Sequence, residues 1–433
     1  MRIGFLTVSA PGHLQSIGTL ARTLKARGHD VVFFGVPDAE PFIRAAQIPY
    51  VPYCEHLYPA GSIKKIMHHL STLDGKEALE FTMGAITRAV EVAFQNLPQA
   101  LAAADIDALV LDEVLWGVGL VPMHLGMPYV HVSSALCFDF SGNTPLCTYP
   151  WPHDITPESL ARNQEGLRQF ALISERYRSL GRNYAEQVGL DIDWADPFAT
   201  ISKLAWITQT PKDFDFPSTH WPAQFHHTGP FHDGQGRIES DFPWEKLTGE
   251  PIIYASMGAT LQRGLENVFS AIAEAVGERA GMQLVLAIGS SIEAEQLRSL
   301  PANAIVARRT PQIELLKRSA LCITHAGLNT VLESLTQGVP LVALPVMNDA
   351  PGVAARIAYT KTGASIPLPQ MTAPKLAALI DQVLGNPEYR ENAMRMKQAI
   401  NGTSGLERAA DIVEEGFGLP RRSQQPQEAG VAD

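Results

Sequence analysis

The 433-residue sequence predicts an α/β protein built from two doubly wound, Rossmann-like domains that face each other across a cleft. Three observations carry that expectation. Short apolar runs alternate with helical patterns, the order that a parallel sheet covered on both faces requires. The alternation stops in a stretch rich in Gly, Pro and charge between Gly229 and Gly249, and then restarts. A chain of this length also holds two or three domains on size alone.

The first apolar run, 3–8, reads as a strand. It faintly resembles a secretion signal after Arg2, but it is too short and Pro11-Gly12-His13 follows it. Leu14, Ile17, Leu20, Ala21 and Leu24 form an apolar stripe at helical spacing, closed by Gly28-His29. Further strands are expected at 31–36, 108–111 and 129–132, with 55–105 and 150–200 mostly helical. The second half reads as strands at 251–255, 283–288, 304–307, 321–324 and 341–344, separated by helices. The expected division is a first domain over 1–232, a linker over 233–249, a second domain over 250–420 and a flexible, polar tail over 421–433.

Composition narrows the function classes. Lys plus Arg is 34 against 45 for Asp plus Glu, a net charge of −11, which argues against general nucleic-acid binding. Cys54, Cys137, Cys147 and Cys322 are scattered without metal spacing, so a reducing cytoplasm is the expected location. No apolar run is long enough to span a membrane. The 63–70 segment, with Lys64, Lys65, His68 and His69, reads either as a solvated helix face or as a peripheral contact with an anionic membrane surface.

In open parallel sheets, ligands bind beyond the carboxyl ends of the strands. His13 follows the first expected strand and Asp112 the 108–111 strand. Ser256 and Gly258 follow the first strand of the second half, His325 follows 321–324 and Asp349 follows 341–344. An imidazole suits removal of a proton from a hydroxyl near neutral pH. A carboxylate on its other nitrogen would fix the tautomer. The plainer readings are a loop histidine capping the next helix and a polar strand-end residue, with Asp107 and Glu113 as competing carboxylates. In 324–333, Gly327 and a helix opening at Asn329-Thr330 suit a phosphate bound to backbone N–H groups. Residues 324–340 contain no Lys or Arg, so such a phosphate would rely on amides, hydroxyls and His325. Thr330-x-x-Glu333 also has capping-box spacing, which leaves Glu333 as either a cap or a ligand.

The series Pro311-Gln312, His325-Ala326-Gly327-Leu328-Asn329-Thr330, Glu333, Gly338-Val339-Pro340 and Asp349 resembles the donor signature of family 1 glycosyltransferases, the UDP-glycosyltransferases. Gly12-His13 and Ser256-Met257-Gly258 match as well, and the likeness covers essentially the whole chain. The opening and the 348–356 stretch look most like bacterial macrolide-type and zeaxanthin glucosyltransferase-like members. The resemblance implies a GT-B fold, with an acceptor-binding first domain and a nucleotide-sugar-binding second domain. It implies inverting transfer of a sugar, with glucose expected, from a UDP-sugar co-substrate to a hydroxyl of a lipophilic small molecule, without metal or other cofactor. His13 would be the base and Asp112 its partner. His325, Asn329 and Thr330 would meet the diphosphate, Glu333 the ribose, Gln312 the base and Asp349 the sugar. Two other classes keep the fold: a nucleotide-sugar epimerase, and a non-catalytic partner of another transferase, which should lack His13.

The sequence departs from that pattern at Leu328 and Arg309, where aromatics are usual, and at Leu14-Gln15-Ser16. It departs most tellingly at Ala350, which replaces a glutamine that helps hold sugar hydroxyls. Two consequences are open: weak discrimination between glucose and its epimers, cured by Ala350→Gln, or a compensating contact from Asn348. Other signals are weaker. Asp105-Ile106-Asp107 and Asp191-Ile192-Asp193 read as solvated turns, and His68-His69 and His226-His227 lack ligand spacing. Phe138, Phe140, Tyr149 and Trp151 suggest an apolar acceptor pocket, although core packing explains them equally.

Overall fold

The computed structural model describes residues 1–73, 75–258, 264–277 and 279–420. Seven strands form the first sheet: β1 (Arg2–Leu6), β2 (Asp30–Gly35), β3 (Tyr50–Pro52), β4 (Ala108–Asp112), β5 (Tyr129–Ser133), β6 (Trp206–Thr208) and β7 (Phe225–His227). Its order is β3-β2-β1-β4-β5-β6-β7, and the pairings are parallel. The second sheet comprises β8 (Ile252–Ser256), β9 (Gln283–Ala287), β10 (Ile305–Ala307), β11 (Ser319–Thr324), β12 (Leu341–Ala343) and β13 (Gly363–Ser365), in the order β10-β9-β8-β11-β12-β13, also parallel.

Helices in the first half are α1 (Pro11–Ala26), α2 (Glu40–Ala45), α3 (Ser62–Leu70), α4 (Gly75–Ala103), α5 (Leu120–Leu125), α6 (Pro157–Ile173) and α7 (Glu175–Val188). Those in the second are α8 (Leu265–Val276), α9 (Gln312–Leu316), α10 (Leu328–Thr336), α11 (Ala350–Tyr359), α12 (Ala373–Gly385), α13 (Pro387–Asn401) and α14 (Gly405–Gly416). The doubly wound arrangement follows from the strand sequences. On β4, Ala108 and Val110 enter one apolar cluster while Leu109 and Leu111 enter the other, as a strand covered on both faces must. The predicted α1 stripe is buried without exception, Leu14 to Leu24 packing on β1 and β2.

In both sheets the strand order reverses next to the first strand, between β1 and β4 and between β8 and β11. Loops leaving these neighbours run to opposite faces and open a crevice. Four short strands escaped the sequence pattern: β3, β6, β7 and β13 are three residues each. The expected second domain over 250–420 needs one correction. Helix α14 crosses back: Ala409, Ala410 and Val413 are buried in the same cluster as Leu20 and Leu24 of α1, because its apolar face matches that uncovered side of the first sheet. The expected tail, 421–433, lies outside the described residues.

Candidate active site

Leu6 of β1 pairs with Leu111 of β4, so the residues that follow them meet at the first crevice. His13 stands in the first turn of α1, and no side chain caps that helix. Its Nδ1 lies 2.6 Å from Oδ2 of Asp112, the last residue of β4, which is wholly buried. The Asp112 carboxylate also accepts from the Thr7 hydroxyl and, at 3.2 Å, from the Val114 N–H. With a carboxylate accepting at Nδ1, the ring proton belongs there and Nε2 is left bare. Burial works against protonating His13, but the charge and hydrogen bond of Asp112 outweigh it and hold the pKa above the usual 6.5. The Ser134 Oγ, 2.7 Å from Nδ1, braces the ring from the end of β5.

The competing carboxylates are accounted for elsewhere. Asp107 accepts from the Arg2 backbone N–H at 2.7 Å, at the opposite end of β4. Burial, reinforced by Asp112, pushes the Glu113 carboxyl up to about 8, and Glu113 does not line the cavity.

At the second crevice Ser256 pairs with Thr324 across β8 and β11. Gly258, in the left-handed region at φ +63°, and Gly327 leave room for the His325 ring, with which a Cβ on either would collide. Burial drives the His325 pKa down to about 4, only weakly opposed by hydrogen bonding to the Ser256 backbone. Its Nδ1 is buried without a partner among the described residues, so a neutral imidazole faces the crevice. Gly327 is the N-cap of α10, and Asn329 and Thr330 lie in its first turn. Asn329 spans the cleft: its Nδ2 donates to the Gly12 carbonyl at 2.8 Å, and its Oδ1 accepts from Gln209 at 2.7 Å.

The capping reading of Glu333 fails, since α10 has no side-chain cap and Glu333 lies in its middle turn. Its Oε2 instead accepts from Gln312 Nε2 at 2.7 Å, and Arg237 forms an ion pair with it. Gln312 also touches the Thr330 hydroxyl at 3.3 Å, and its Oε1 accepts from Tyr254 at 3.0 Å, which makes it a brace for Glu333. Asp349, at the N-terminus of α11, accepts from the Leu136 N–H at 3.2 Å. Burial raises its carboxyl pKa, partly offset by that hydrogen bond and by the charge of His13.

All the expected site residues except Asp112, which sits behind His13, line one cavity of about 1700 Å³. Part of its wall is apolar, formed by Ile63, Ile66 and Met67 of α3 with Trp116 and Phe138. The α3 face carrying Lys64, Lys65, His68 and His69 is exposed. Of the four expected acceptor aromatics only Phe138 faces the cavity. Tyr149 and Trp151 stack on each other at 4.0 Å over Gly166, and Phe140 packs against Phe170. Arg237, Gln209 and Ser134 were invisible to spacing arguments because each reaches the site from a loop or a short strand end. Among the described residues, no three His, Cys, Asp or Glu side chains gather as a metal site would require, and no helix is long and apolar enough to cross a membrane.

Ala350 does not face the cavity. It is 4% exposed within the apolar cluster of Leu136, Cys147 and Val353, whereas Asn348 lines the cavity and its Oδ1 accepts from Thr82 at 3.2 Å. Ala350→Gln is therefore expected to overpack the core, at a cost of about 1–3 kcal/mol, without raising selectivity for UDP-glucose. Asn348→Ala is expected to lower kcat/KM for UDP-glucose about tenfold or more relative to UDP-galactose. Steady-state kinetics on both donors, with thermal melts of both variants, checks the pair.

The profile of the UDP-glucoronosyl and UDP-glucosyl transferase family matches residues 171–403, more than half of the chain, and the chain belongs to that family. It is accordingly a glycosyltransferase. It is 28% identical to the zeaxanthin glucosyltransferase of Pantoea ananas over 95% of each chain. It is 27% identical to the O-mycaminosyltylonolide 6-deoxyallosyltransferase of Streptomyces fradiae over 96% of this chain and 97% of that one. Among solved structures it resembles CalG4, the calicheamicin glycosyltransferase, with a TM-score of 0.74 and 21% identity over 96% of this chain and 98% of that one. The fold is GT-B.

Proposed function

We propose that the protein transfers a sugar, with glucose expected, from a UDP-sugar to a hydroxyl of a lipophilic small molecule, with inversion and without a metal. The observation that carries this is the His13–Asp112 pair facing the donor-signature residues across a single cavity with an apolar wall. His13 Nε2 takes the proton of the acceptor hydroxyl as its oxygen attacks the anomeric carbon. The bond to the diphosphate breaks on the opposite face, and a single displacement inverts the centre. Asp112 stabilises the imidazolium that forms. Charge develops on the departing diphosphate, where the first-turn N–H groups of α10 and His325 are oriented to receive it. Glu333, braced by Gln312, takes the ribose hydroxyls, Asp349 and Asn348 hold the sugar, and Ser256 and Gly258 line the phosphate path. Similarity to a zeaxanthin glucosyltransferase supports the lipophilic acceptor class.

The test is an assay of UDP-glucose against a panel of lipophilic alcohols, with and without EDTA, reading the anomer of the product by NMR. A β-glycoside formed at undiminished rate in EDTA is the expected result. An α-glycoside, a chelator-dead enzyme restored by magnesium, or isomerised donor formed without acceptor would each overturn the proposal.

A further inference from the structure

We propose that Arg237, carried in on the interdomain linker, belongs to the donor site and supplies positive charge for the nucleotide's diphosphate. The inference rests on the donor-site reading above and goes beyond it. A diphosphate needs compensation that the α10 region lacks: 324–340 holds no Lys or Arg. Burial keeps His325 neutral. Two carboxylates, Glu333 and Asp349, line the same cavity and would repel an anion.

Arg237 answers that need. Its guanidinium pairs with Glu333, with a second contact from Nη1 to Oε2 at 3.4 Å. On its other side lies the Gln15 amide, whose oxygen, assigned to the position that faces the guanidinium, meets Nε and both Nη atoms at 2.8–2.9 Å. Gln15 lies two residues beyond His13 on α1, so the guanidinium sits between the two halves of the site. The linker that carries it is fixed. Arg22 of α1 pairs with Asp233 and donates to Gln235 at 3.1 Å. A Cβ on Gly236 would stand 3.1 Å from Arg22 and 3.2 Å from the Ala46 backbone.

Glu333 is four residues beyond Asn329, so it lies about 6 Å down the helix from the first-turn N–H groups. That is the step between a ribose on Glu333 and phosphates at the helix start. When the ribose hydroxyls take over the Glu333 oxygens, the guanidinium is released within a side-chain swing of the diphosphate. In the free enzyme it compensates Glu333; in the complex it compensates the donor.

The experiment uses the full chain, with Arg237→Met and Arg237→Lys, and titrates uridine and UDP by calorimetry. Arg237→Met should weaken UDP binding about tenfold or more while uridine changes less than about threefold. Arg237→Lys should recover part of the loss, and the donor KM should rise in step. Equal losses for uridine and UDP, or unchanged UDP affinity, would overturn the proposal, because a merely structural arginine affects both ligands and an idle one neither. The underlying reading fails separately, if wild type binds neither ligand or if Glu333→Gln leaves uridine binding intact.

Discussion

His13→Ala is expected to lower the turnover of an alcohol acceptor about 10²- to 10⁴-fold, the range for loss of a positioned base, with UDP affinity little changed. The motive is geometric: His13 faces the cavity with Nδ1 committed to Asp112. Asp112→Asn should cost less than His13→Ala but still orders of magnitude, because an amide N–H facing Nδ1 favours the wrong tautomer. The pH profile separates a base from a bystander. His13 must be neutral to act, and its pKa is held above 6.5 in the folded enzyme by Asp112. Wild-type kcat/KM should therefore rise with pH through an apparent pKa above 6.5 and then level. Removing the Asp112 charge lowers that pKa, so the limb in Asp112→Asn should move to lower pH while the plateau falls. Near-native turnover in purified His13→Ala, or a limb that does not move, would remove His13 from the role.

These residues were legible because strand ends are legible. His13, Asp112, His325 and Asp349 follow apolar runs strong enough to mark a buried strand, and a parallel sheet sends all such ends to one edge. Strand order was not legible. That β1 neighbours β4, and β8 neighbours β11, is set by which apolar faces fit together, and this adjacency brings the Asp112 end of β4 to the imidazole and leaves Asp107 at the opposite end. Spacing was ambiguous where two structures share it: Thr330 and Glu333 have capping-box separation, and in the fold Gln312 and Arg237 claim the carboxylate. Aromatic content was ambiguous for a similar reason, and in the fold Tyr149 and Trp151 stack on each other. Ala350 aligned with a donor contact in the family pattern, yet the first turn of α11 points it into the core. Contacts that cross between the halves, such as Asn329 to Gly12 and Arg237 to Glu333, depend on how the two sheets meet, and no local pattern encodes that.

Arg27→Met is expected to produce the largest loss of stability, about 3–5 kcal/mol, the range for removing one partner of a buried ion pair. Arg27 follows α1 and is 3% exposed. Its Nη1 donates to Asp411 at 2.7 Å and to Glu414 at 2.8 Å, and its Nη2 pairs with Glu407 and donates to that residue's carbonyl at 3.0 Å. Glu414 is fully buried and also meets His29 Nε2 at 2.7 Å. All three acids lie on α14, so one guanidinium anchors the helix that returns from the second half of the chain to the first. Without it, Glu414 keeps His29 but loses its strongest partner in a site with little water, and α14 loses the polar contacts that set its register on α1. At about 2–4 °C per kcal/mol for a unit of this size, the melting temperature should fall by on the order of 10 °C. Glu407→Ala is the internal control. Its side chain is 43% exposed, so its share of the cluster is screened and should cost about 0–1 kcal/mol. Calorimetric melts of the two variants beside wild type decide the matter. A shift of Arg27→Met no larger than that of Glu407→Ala would mean that the apolar face of α14, through Ala409, Ala410 and Val413, holds the helix in place without the ionic anchor.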